Sequence, residues 1–227
     1  MIRKDRLQQA QGLMQKKGID AYRVLTVLVR ILMIAVVVLS PMTAGAYDNK
    51  MAVPLRPGVF LVATPALEDS NFIHTVILLV SYGKDGTVGL VINRPSGISL
   101  QRVLPDLKGI EKRSLPLYLG GPVSRNSLYV LFTSDHPPPG AQKVFDRIYF
   151  ADRKDVITPL LQEQDLSNKV RVYAGLAGWF HGQLEQEVRR GAWVTMEADS
   201  KMVFTDNPLS VWPSIFKIRE DLLVRTK

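Results

Sequence analysis

The sequence predicts a single layered α/β domain, with an α+β arrangement as the alternative, built on a mixed β-sheet with flanking helices. Two observations favour this class. The 227 residues are 46% hydrophobic and 22% charged, which is typical of a globular protein with one core. Short apolar segments rich in β-branched residues alternate with segments of helical periodicity, and hairpin-like pairs are interleaved with helices. No internal repeat or long linker divides the chain after its first 46 residues.

Three strands are predicted at the start of the domain. They are short, apolar and β-branched, and they run from Val59 to Ala63, from Thr75 to Ser81 and from Val88 to Asn93. The sequence Gly83-Lys84-Asp85-Gly86 separates the second strand from the third and has the composition of a tight turn. The second and third strands are therefore predicted to form a hairpin.

The alternation of strands and helices continues along the chain. Apolar residues at helical spacing predict one helix from Ser99 to Leu107 and another from Lys154 to Gln164. The prolines at 137–139 predict a loop, because proline fits neither a helix interior nor a central strand. The remaining predicted elements are strands at Leu115 to Leu119, Leu128 to Thr133, Ile148 to Ala151, Val170 to Ala174, Trp193 to Glu197 and Met202 to Thr205, and a helix from Pro208 to Val224.

The most distinctive segment runs from Tyr173 to Trp193. An apolar strand is predicted to end in a glycine turn at residues 175–182, and a helix that starts Gln-Leu-Glu follows at once. Glycine allows positive φ or close approach of another group, and the first amides of a helix have no partner within it, so this turn is a predicted docking point. The dinucleotide-binding fingerprint is not matched, because Ala177 and Phe180 stand where it requires glycine.

Residues 1–46 have the pattern of an export signal. Basic residues precede an unbroken apolar run from Ile31 to Leu39, and Ala44-Gly45-Ala46 has the small-residue pattern of a cleavage site. Cleavage after Ala46 would release a periplasmic protein that consists of the domain at residues 47–227.

Two alternatives for the N-terminal segment stay open. An uncleaved membrane anchor is the second, although the apolar stretch from Val24 to Leu39 is shorter than the roughly 20 residues that cross a bilayer and contains Arg30. Translation from Met51 is the third, and it would make the protein cytoplasmic.

The charge distribution disfavours nucleic acid as a partner. The formal net charge is +8, but residues 1–46 carry seven Lys or Arg against two Asp, which leaves 22 basic against 19 acidic residues in the rest of the chain. A nearly balanced domain does not predict a phosphate-binding surface. Contact with a membrane is expected only through the N-terminal segment, if it is not cleaved. The absence of cysteine excludes thiol catalysis, disulfides and cysteine-ligated metals.

No catalytic residue, metal site or cofactor is predicted. The chain has three histidines and lacks the common nucleophile, zinc-protease and phosphate-loop motifs. The pair His181 and Glu185 would lie one helical turn apart if the helix began before His181, but two ligands do not make a metal site. A solvated histidine near a helix start is the interpretation we favour.

Several separated motifs resemble the AlgH/YqgE family of bacterial proteins. They are Pro57-Gly58, Phe60 to Pro65, Phe72 with Thr75 to Leu79, Gly89 to Pro95, Gly120 to Val123, and Gly175 to Glu187, in the family's order and across essentially all of residues 53–218. The resemblance implies a compact α/β domain, no agreed activity, a regulatory label and a mostly cytoplasmic location. The family usually has histidine where this chain has Tyr82, and a small residue or proline at Phe180 and His181.

The sequence therefore favours a non-catalytic, regulatory domain that binds an unidentified protein or small molecule. A transcriptional regulator is the alternative that the family label implies, and a hydrolytic enzyme is a distant third. A binding site is expected where the glycine turn faces two other strand ends, with Trp179 either as an aromatic surface of the site or as a lid on the core. The candidate residues are Asn93, Arg94, Gly120, Gly121, Gly178, Trp179, Gly182, Gln183 and Glu185.

Overall fold

A computed structural model describes residues 53–65, 67–110, 115–162 and 170–216. The N-terminal segment 1–46 and the C-terminal part of the last predicted helix lie outside these ranges. Within the described ranges, no helix combines the length and the apolar character that crossing a bilayer requires.

The described residues form ten strands, most of them short. β1, β2 and β3 begin the domain much as the sequence predicts, and β6 and β9 are the longest strands. The strands are β1 (Val59–Ala63), β2 (Val76–Gly83), β3 (Gly86–Val91), β4 (Pro95–Ser99), β5 (Pro116–Leu119), β6 (Val123–Thr133), β7 (Gln142–Phe145), β8 (Ile148–Ala151), β9 (Val170–Trp179) and β10 (Trp193–Glu197).

The strands pair in the order β10-β1-β2-β3-β9-β6-β8-β7. Outside this order, β5 pairs with β9, and β4 pairs with β5. β5 and β9 run parallel, whereas every other pair among the described strands is antiparallel. One edge of β9 contacts β5 through its first half and β3 through its last residues. The fold is therefore mixed α/β, as predicted, but with a mostly antiparallel sheet.

Few helical segments accompany the sheet in the described residues, and they are short. They are α1 (Leu100–Val103), α2 (Lys154–Gln162), α3 (Gln183–Arg189), α4 (Ser200–Val203), a 3₁₀ turn at Pro208–Ser210, and a helical segment at 211–216. Helices do accompany the sheet, as predicted, but those in the described residues are shorter than the sequence analysis expected. α2 and α3 each cover part of a sheet face, because Leu160 and Leu184 are buried against strands.

Alternation along the strands divides the core between the two faces of the sheet. In β1, Phe60 and Val62 pack into one cluster with Tyr173 of β9, whereas Leu61 packs on the opposite face beside Leu184 of α3. Successive side chains of a strand point to opposite faces, so a strand buried on both sides must be apolar throughout. All five residues of β1 are buried, which explains the continuous apolar run in the sequence.

The predicted glycine turn at 175–182 is wrong for most of its length. β9 continues to Trp179, and Gly175 lies within the strand at φ +73° beside a break in the β6–β9 register. Gly175 therefore supplies a bulge, a role for which positive φ is needed, and the chain turns only after Trp179.

Other local predictions also fail. The predicted helix from Ser99 to Leu107 is shortened to α1, and the predicted strand from Met202 to Thr205 is replaced by α4. The reason at α4 is a cap: Asp199 Oδ1 accepts a hydrogen bond from the Lys201 amide at 2.8 Å, which starts a helical turn. The sequence interpretation also missed β4 and β7.

Candidate functional site

The Glu187 carboxylate is the centre of a hydrogen-bonded cluster between α3 and the sheet. Its Oε2 accepts bonds from the indole Nε1 of Trp179 at 2.9 Å and of Trp193 at 2.8 Å. Its Oε1 accepts a bond from Gln183 Nε2 at 3.0 Å. Gln183 Oε1 in turn accepts a hydrogen bond from the Phe180 backbone amide, just before the start of α3. We call these four side chains the Glu187 cluster: Glu187, Trp179, Trp193 and Gln183.

Trp179 is a core residue of the domain. Only 6% of it is exposed, and its ring stacks on Phe72 and meets Trp193 edge to face. Of the two interpretations of Trp179, its burial agrees with a lid on the core and disagrees with an aromatic surface open to a ligand. Trp179 is the last residue of β9, and its indole N–H donates a hydrogen bond to Glu187 of α3, so the ring is held between the helix and the sheet.

Gly120 and Gly121 allow strands to cross at close range. They follow β5, at the point where β3 replaces β5 as the neighbour of β9. The Gly120 amide donates to the Ala174 carbonyl, and the Gly120 carbonyl accepts from the Val91 amide. A Cβ on either glycine would overlap the backbone of β9. Close packing therefore accounts for both glycines.

The remaining predicted residues near α3 lie at the surface end of the β2–β3 hairpin. Gly178 pairs with Val88 within the sheet, and Gly182 precedes α3 in the left-handed conformation with open space around it. Glu185 accepts a hydrogen bond from the Tyr82 hydroxyl at 2.7 Å. This bond, burial and the carboxylate charge raise the pKa of Tyr82 above its ordinary value of 10.0.

The predicted site residues do not form one surface. Trp179, which precedes α3, pairs with Thr87 at one end of β3, whereas Asn93 and Arg94 follow the other end of that strand. The six residues of β3 separate the two ends by about 16 Å, at roughly 3.3 Å per residue. Of the predicted partners, the structure brings together Arg94 and the Gly120 segment, because the Leu119 amide donates to the Arg94 carbonyl.

Asn93 fixes the chain that enters β2. Its Oδ1 accepts a hydrogen bond from the Val76 amide at 2.9 Å, and its Nδ2 donates to the His74 carbonyl at 2.9 Å. Asn93 is buried, so both groups of its carboxamide are satisfied within the protein. His74, at φ +55°, is thereby held in a conformation that non-glycine residues seldom adopt.

Arg94 supports the same loop from its outer side. Its guanidinium donates to the Asn71 carbonyl at 2.7 Å and to the Ile73 carbonyl at 3.2 Å. Burial, and then the nearby charge of Arg125, lower the pKa of Arg94, and Asp69 opposes them. Both carbonyl partners are neutral, so the positive charge of Arg94 is hydrogen-bonded without being neutralised.

An open groove lies beside this loop. Its volume is about 410 Å³. The loop forms one wall, and residues 209–213 near the C-terminus form the second wall. We call it the Arg94 groove, and it is lined by Ile73, His74, Asn93, Arg94, Leu209, Trp212 and Pro213. Two residues of the sequence-predicted site, Asn93 and Arg94, therefore line it.

The second wall is held by two anchors. Trp212 Nε1 donates to the Ala63 carbonyl at 2.8 Å, and the indole ring lies 4.2 Å from the His74 ring, centroid to centroid. The buried Arg171 guanidinium donates to the carbonyls of Ile92 and Thr205 and so joins the C-terminal segment to the end of β3. Contacts within the protein thus hold the second wall in place.

Sequence reasoning missed the residues of the second wall. Leu209, Trp212 and Pro213 were assigned only to a terminal helix, because their pattern is that of ordinary apolar contacts. The one available signal was the pair Trp212-Pro213, which interrupts a helical pattern with a residue that favours turns and helix starts.

Metal binding has no candidate in the described part of the chain, where no three potential ligands cluster. α3 begins at Gln183, so His181 precedes the helix and does not lie one helical turn from Glu185 within it. The condition on which that pair depended is therefore not met.

Comparison with known proteins shows the relationships of the chain. A family model described as AlgH-like matches residues 60–220. A UPF0301 protein of Chlorobium limicola is 33% identical over 159 residues, which are 70% of this chain and 83% of that protein. A UPF0301 protein of Methylococcus capsulatus is 33% identical over 163 residues, with coverage of 70% and 89%.

Solved structures agree with these matches. The solution structure of the AlgH protein from Pseudomonas aeruginosa is similar with a TM-score of 0.62 and 33% identity, over 75% of this chain and 92% of that one. The crystal structure of DIP2367 from Corynebacterium diphtheriae, 24% identical, has the same fold with a TM-score of 0.62, over 72% of this chain and 87% of that one. Because the family model spans most of the chain and the relatives align over most of their own length, the chain belongs to the AlgH-like family.

Proposed function

We propose that the protein is a non-catalytic binding domain with a regulatory role, and that the Arg94 groove is its binding site. The observation that carries this proposal is a groove whose walls are held by internal hydrogen bonds and carry exposed apolar residues on both sides. Ile73 on one wall is 40% exposed and Leu209 on the other is 68% exposed. Apolar side chains held in this way at a rigid concave surface suit a partner better than they suit water.

The rigidity of the groove supports a binding role. Asn93 and Arg94 hold one wall, and Arg171 and Trp212 hold the other. A partner would meet a surface whose conformational entropy is already low, so less binding free energy is lost on association. His74 and Trp212 add a pair of aromatic rings at the floor.

NMR of the ¹⁵N-labelled protein tests the proposal. The chain has three tryptophans, and their indole N–H groups report on two places: Trp212 on the groove, and Trp179 with Trp193 on the Glu187 cluster. Fragments such as 4-phenylbutyrate and its neutral amide, at millimolar concentration, should shift the Trp212 signal and leave the other two unchanged.

The matched control is Leu209→Asp, a change at an exposed position that should leave the fold intact and abolish the shift. If the fragments leave the groove signals unchanged, or act equally on all three indoles, the groove is not the site. Duplex DNA that bound with a steep salt dependence would instead favour the alternative of a transcriptional regulator.

Export to the periplasm is part of the proposal. Its support is the basic, apolar and small-residue order of residues 1–46. The N-terminal residue of the protein isolated from its own cells tests it directly. Tyr47 would indicate cleavage and export, whereas Met51 in the soluble fraction would indicate a cytoplasmic protein and contradict the proposal. Met1 in the membrane fraction would indicate an uncleaved anchor.

A further inference from the structure

The charges around the Arg94 groove are unbalanced. In the described residues the ion pairs are Arg56 with Glu197, Arg147 with Asp135, and Arg153 with Asp155. Arg94 and Arg125 belong to none of them, although they are close enough to repel each other.

One described carboxylate, that of Asp69, offsets part of this charge, because it attracts Arg94. Asp69 Oδ1 accepts bonds from the Asn71 amide at 2.8 Å and from Asn71 Nδ2 at 3.0 Å. The charge of Asp206 acts on Tyr118, where the buried Arg171 lies 4.5 Å from the ring. The guanidinium groups of Arg94 and Arg125 and the carboxylate of Asp69 therefore sum to a net charge of +1 among these described residues.

Arg94 has hydrogen-bonding capacity to spare. A guanidinium has five N–H donors, and the two bonds to the Asn71 and Ile73 carbonyls use two of them. The side chain is only half-buried, so its remaining donors reach solvent. A carboxylate is the acceptor that matches both the charge and the planar geometry of a guanidinium.

We infer that the occupant of the Arg94 groove is an acidic, apolar peptide segment of a partner protein. The carboxylate of an Asp or Glu contacts Arg94, with Arg125 adding attraction, and a neighbouring apolar side chain packs between Ile73 and Leu209. This inference rests on the proposed function and specifies the ligand of the same site.

A peptide fits this groove better than the other sources of negative charge. Nucleic acid presents a ladder of phosphates and needs several cations in a row, whereas two arginines stand here beside exposed aliphatic side chains. A small carboxylate would be poorly enclosed, because small-molecule sites bury most of their ligand and this groove opens to solvent. An extended peptide supplies an acid and an aliphatic group a few ångströms apart.

Selection from a displayed library of random 12-residue peptides, on the full-length protein, tests the inference. We expect a consensus with Asp or Glu within three positions of Leu, Ile, Val or Phe, and we expect its loss in parallel selection on Leu209→Asp. A consensus that lacks an acidic residue but is lost on Leu209→Asp would overturn the inference and leave the proposed function standing. No consensus, or one retained on Leu209→Asp, would overturn the peptide assignment altogether.

A double-mutant cycle identifies the group that contacts the carboxylate. Replacing the acid of the selected peptide by its amide should weaken binding to the wild type about tenfold, and binding to Arg94→Gln by less than about twofold. A role of Arg94 in loop packing alone would give equal losses with both proteins and would refute the contact. Arg94→Lys, which keeps the charge, should retain part of the preference for the acid.

Arg147→Gln is the matched control, since it removes a surface guanidinium whose carboxylate partner is Asp135. It should leave the affinity for the selected peptide unchanged. The indole signal of Trp212 must keep its position in each free variant, which verifies that the groove walls are intact. A selected peptide that is displaced by a 12-residue oligonucleotide at equal concentration would contradict the choice of a protein partner.

Discussion

Removal of the Glu187 carboxylate should destabilise the domain more than removal of any other polar side chain of α3. In Glu187→Ala, three N–H donors lose their acceptor: the indole groups of Trp179 and Trp193, and the Gln183 amide. The two tryptophans are 6% and 2% exposed, so water has little access to their indoles in the folded protein. Gln183 is half-buried and can turn its amide towards solvent.

The magnitude follows from the two indoles. A buried donor left without an acceptor costs about 1–3 kcal/mol, so we expect the free energy of unfolding to fall by about 2–6 kcal/mol. For a domain of this size, each kcal/mol lowers Tm by roughly 2–4 °C. Glu187→Gln keeps one acceptor oxygen but loses the charge, and about 1–3 kcal/mol is expected for it.

Urea unfolding followed by far-UV circular dichroism measures these differences. The matched control is Glu185→Ala, two residues earlier in the same helix, where the lost bond is the one from the Tyr82 hydroxyl near the surface. We expect less than about 1 kcal/mol for the control. If Glu187→Ala were as stable as Glu185→Ala, the hydrogen bonds of the Glu187 cluster would not be what secures α3 to the sheet.

Three further outcomes are expected. Gly121→Ala should lower the yield of folded protein or its Tm by more than 10 °C, roughly 3 kcal/mol or more, because the new Cβ overlaps the backbone at Leu176, and an unchanged Tm would refute the close crossing. Deletion of residues 1–46 should preserve one cooperative thermal transition, since the segment precedes the domain; loss of the transition would show that the segment packs on it. Tyr82, observed by ¹³Cζ labelling, should titrate above its ordinary pKa, and Glu185→Gln should move its midpoint down. The protonated phenol donates the bond to Glu185. Its contribution to the free energy of unfolding is therefore fully present below pH 10 and is lost as the pH rises through the raised pKa of Tyr82.

Strands buried on both faces were predictable from the sequence. The runs that became β1, β2 and β3 contain consecutive apolar, β-branched residues, and such runs have few alternatives to a central strand. The hairpin turn between β2 and β3 also follows from local chemistry, with Gly86 at positive φ.

β9 was harder to predict because its glycines have a tertiary cause. In the sequence, Gly175 and Gly178 look like a turn, and nothing local distinguishes a bulge from a reversal of the chain. The difference arises because Gly120 and Gly121 approach β9 from the side, and they lie more than fifty residues away in the chain. A long-range contact of this kind overrides local turn propensity.

The site was predictable only in part. Asn93 and Arg94 do line the groove, but their side chains mainly hold the loop at residues 71–76. The other wall comes from Leu209 and Trp212, whose apolar character suggests only a packed helix when they are considered one by one. A concave surface depends on which elements meet, and periodicity does not contain that information.

The residues that carry the family resemblance and the residues that would contact a partner are largely different sets. Asn93 and the Glu187 cluster form hydrogen bonds within the domain, and Gly120 and Gly121 allow close packing against β9. These residues therefore have structural roles. The exposed side chains of the groove, those of Ile73 and Leu209, form no hydrogen bonds and can vary without loss of the fold. We therefore expect relatives in the family to share the groove residues that form internal hydrogen bonds and to differ at Ile73 and Leu209. Recognition of the family from its motifs consequently identifies the scaffold and leaves the ligand of the proposed site to be found by experiment.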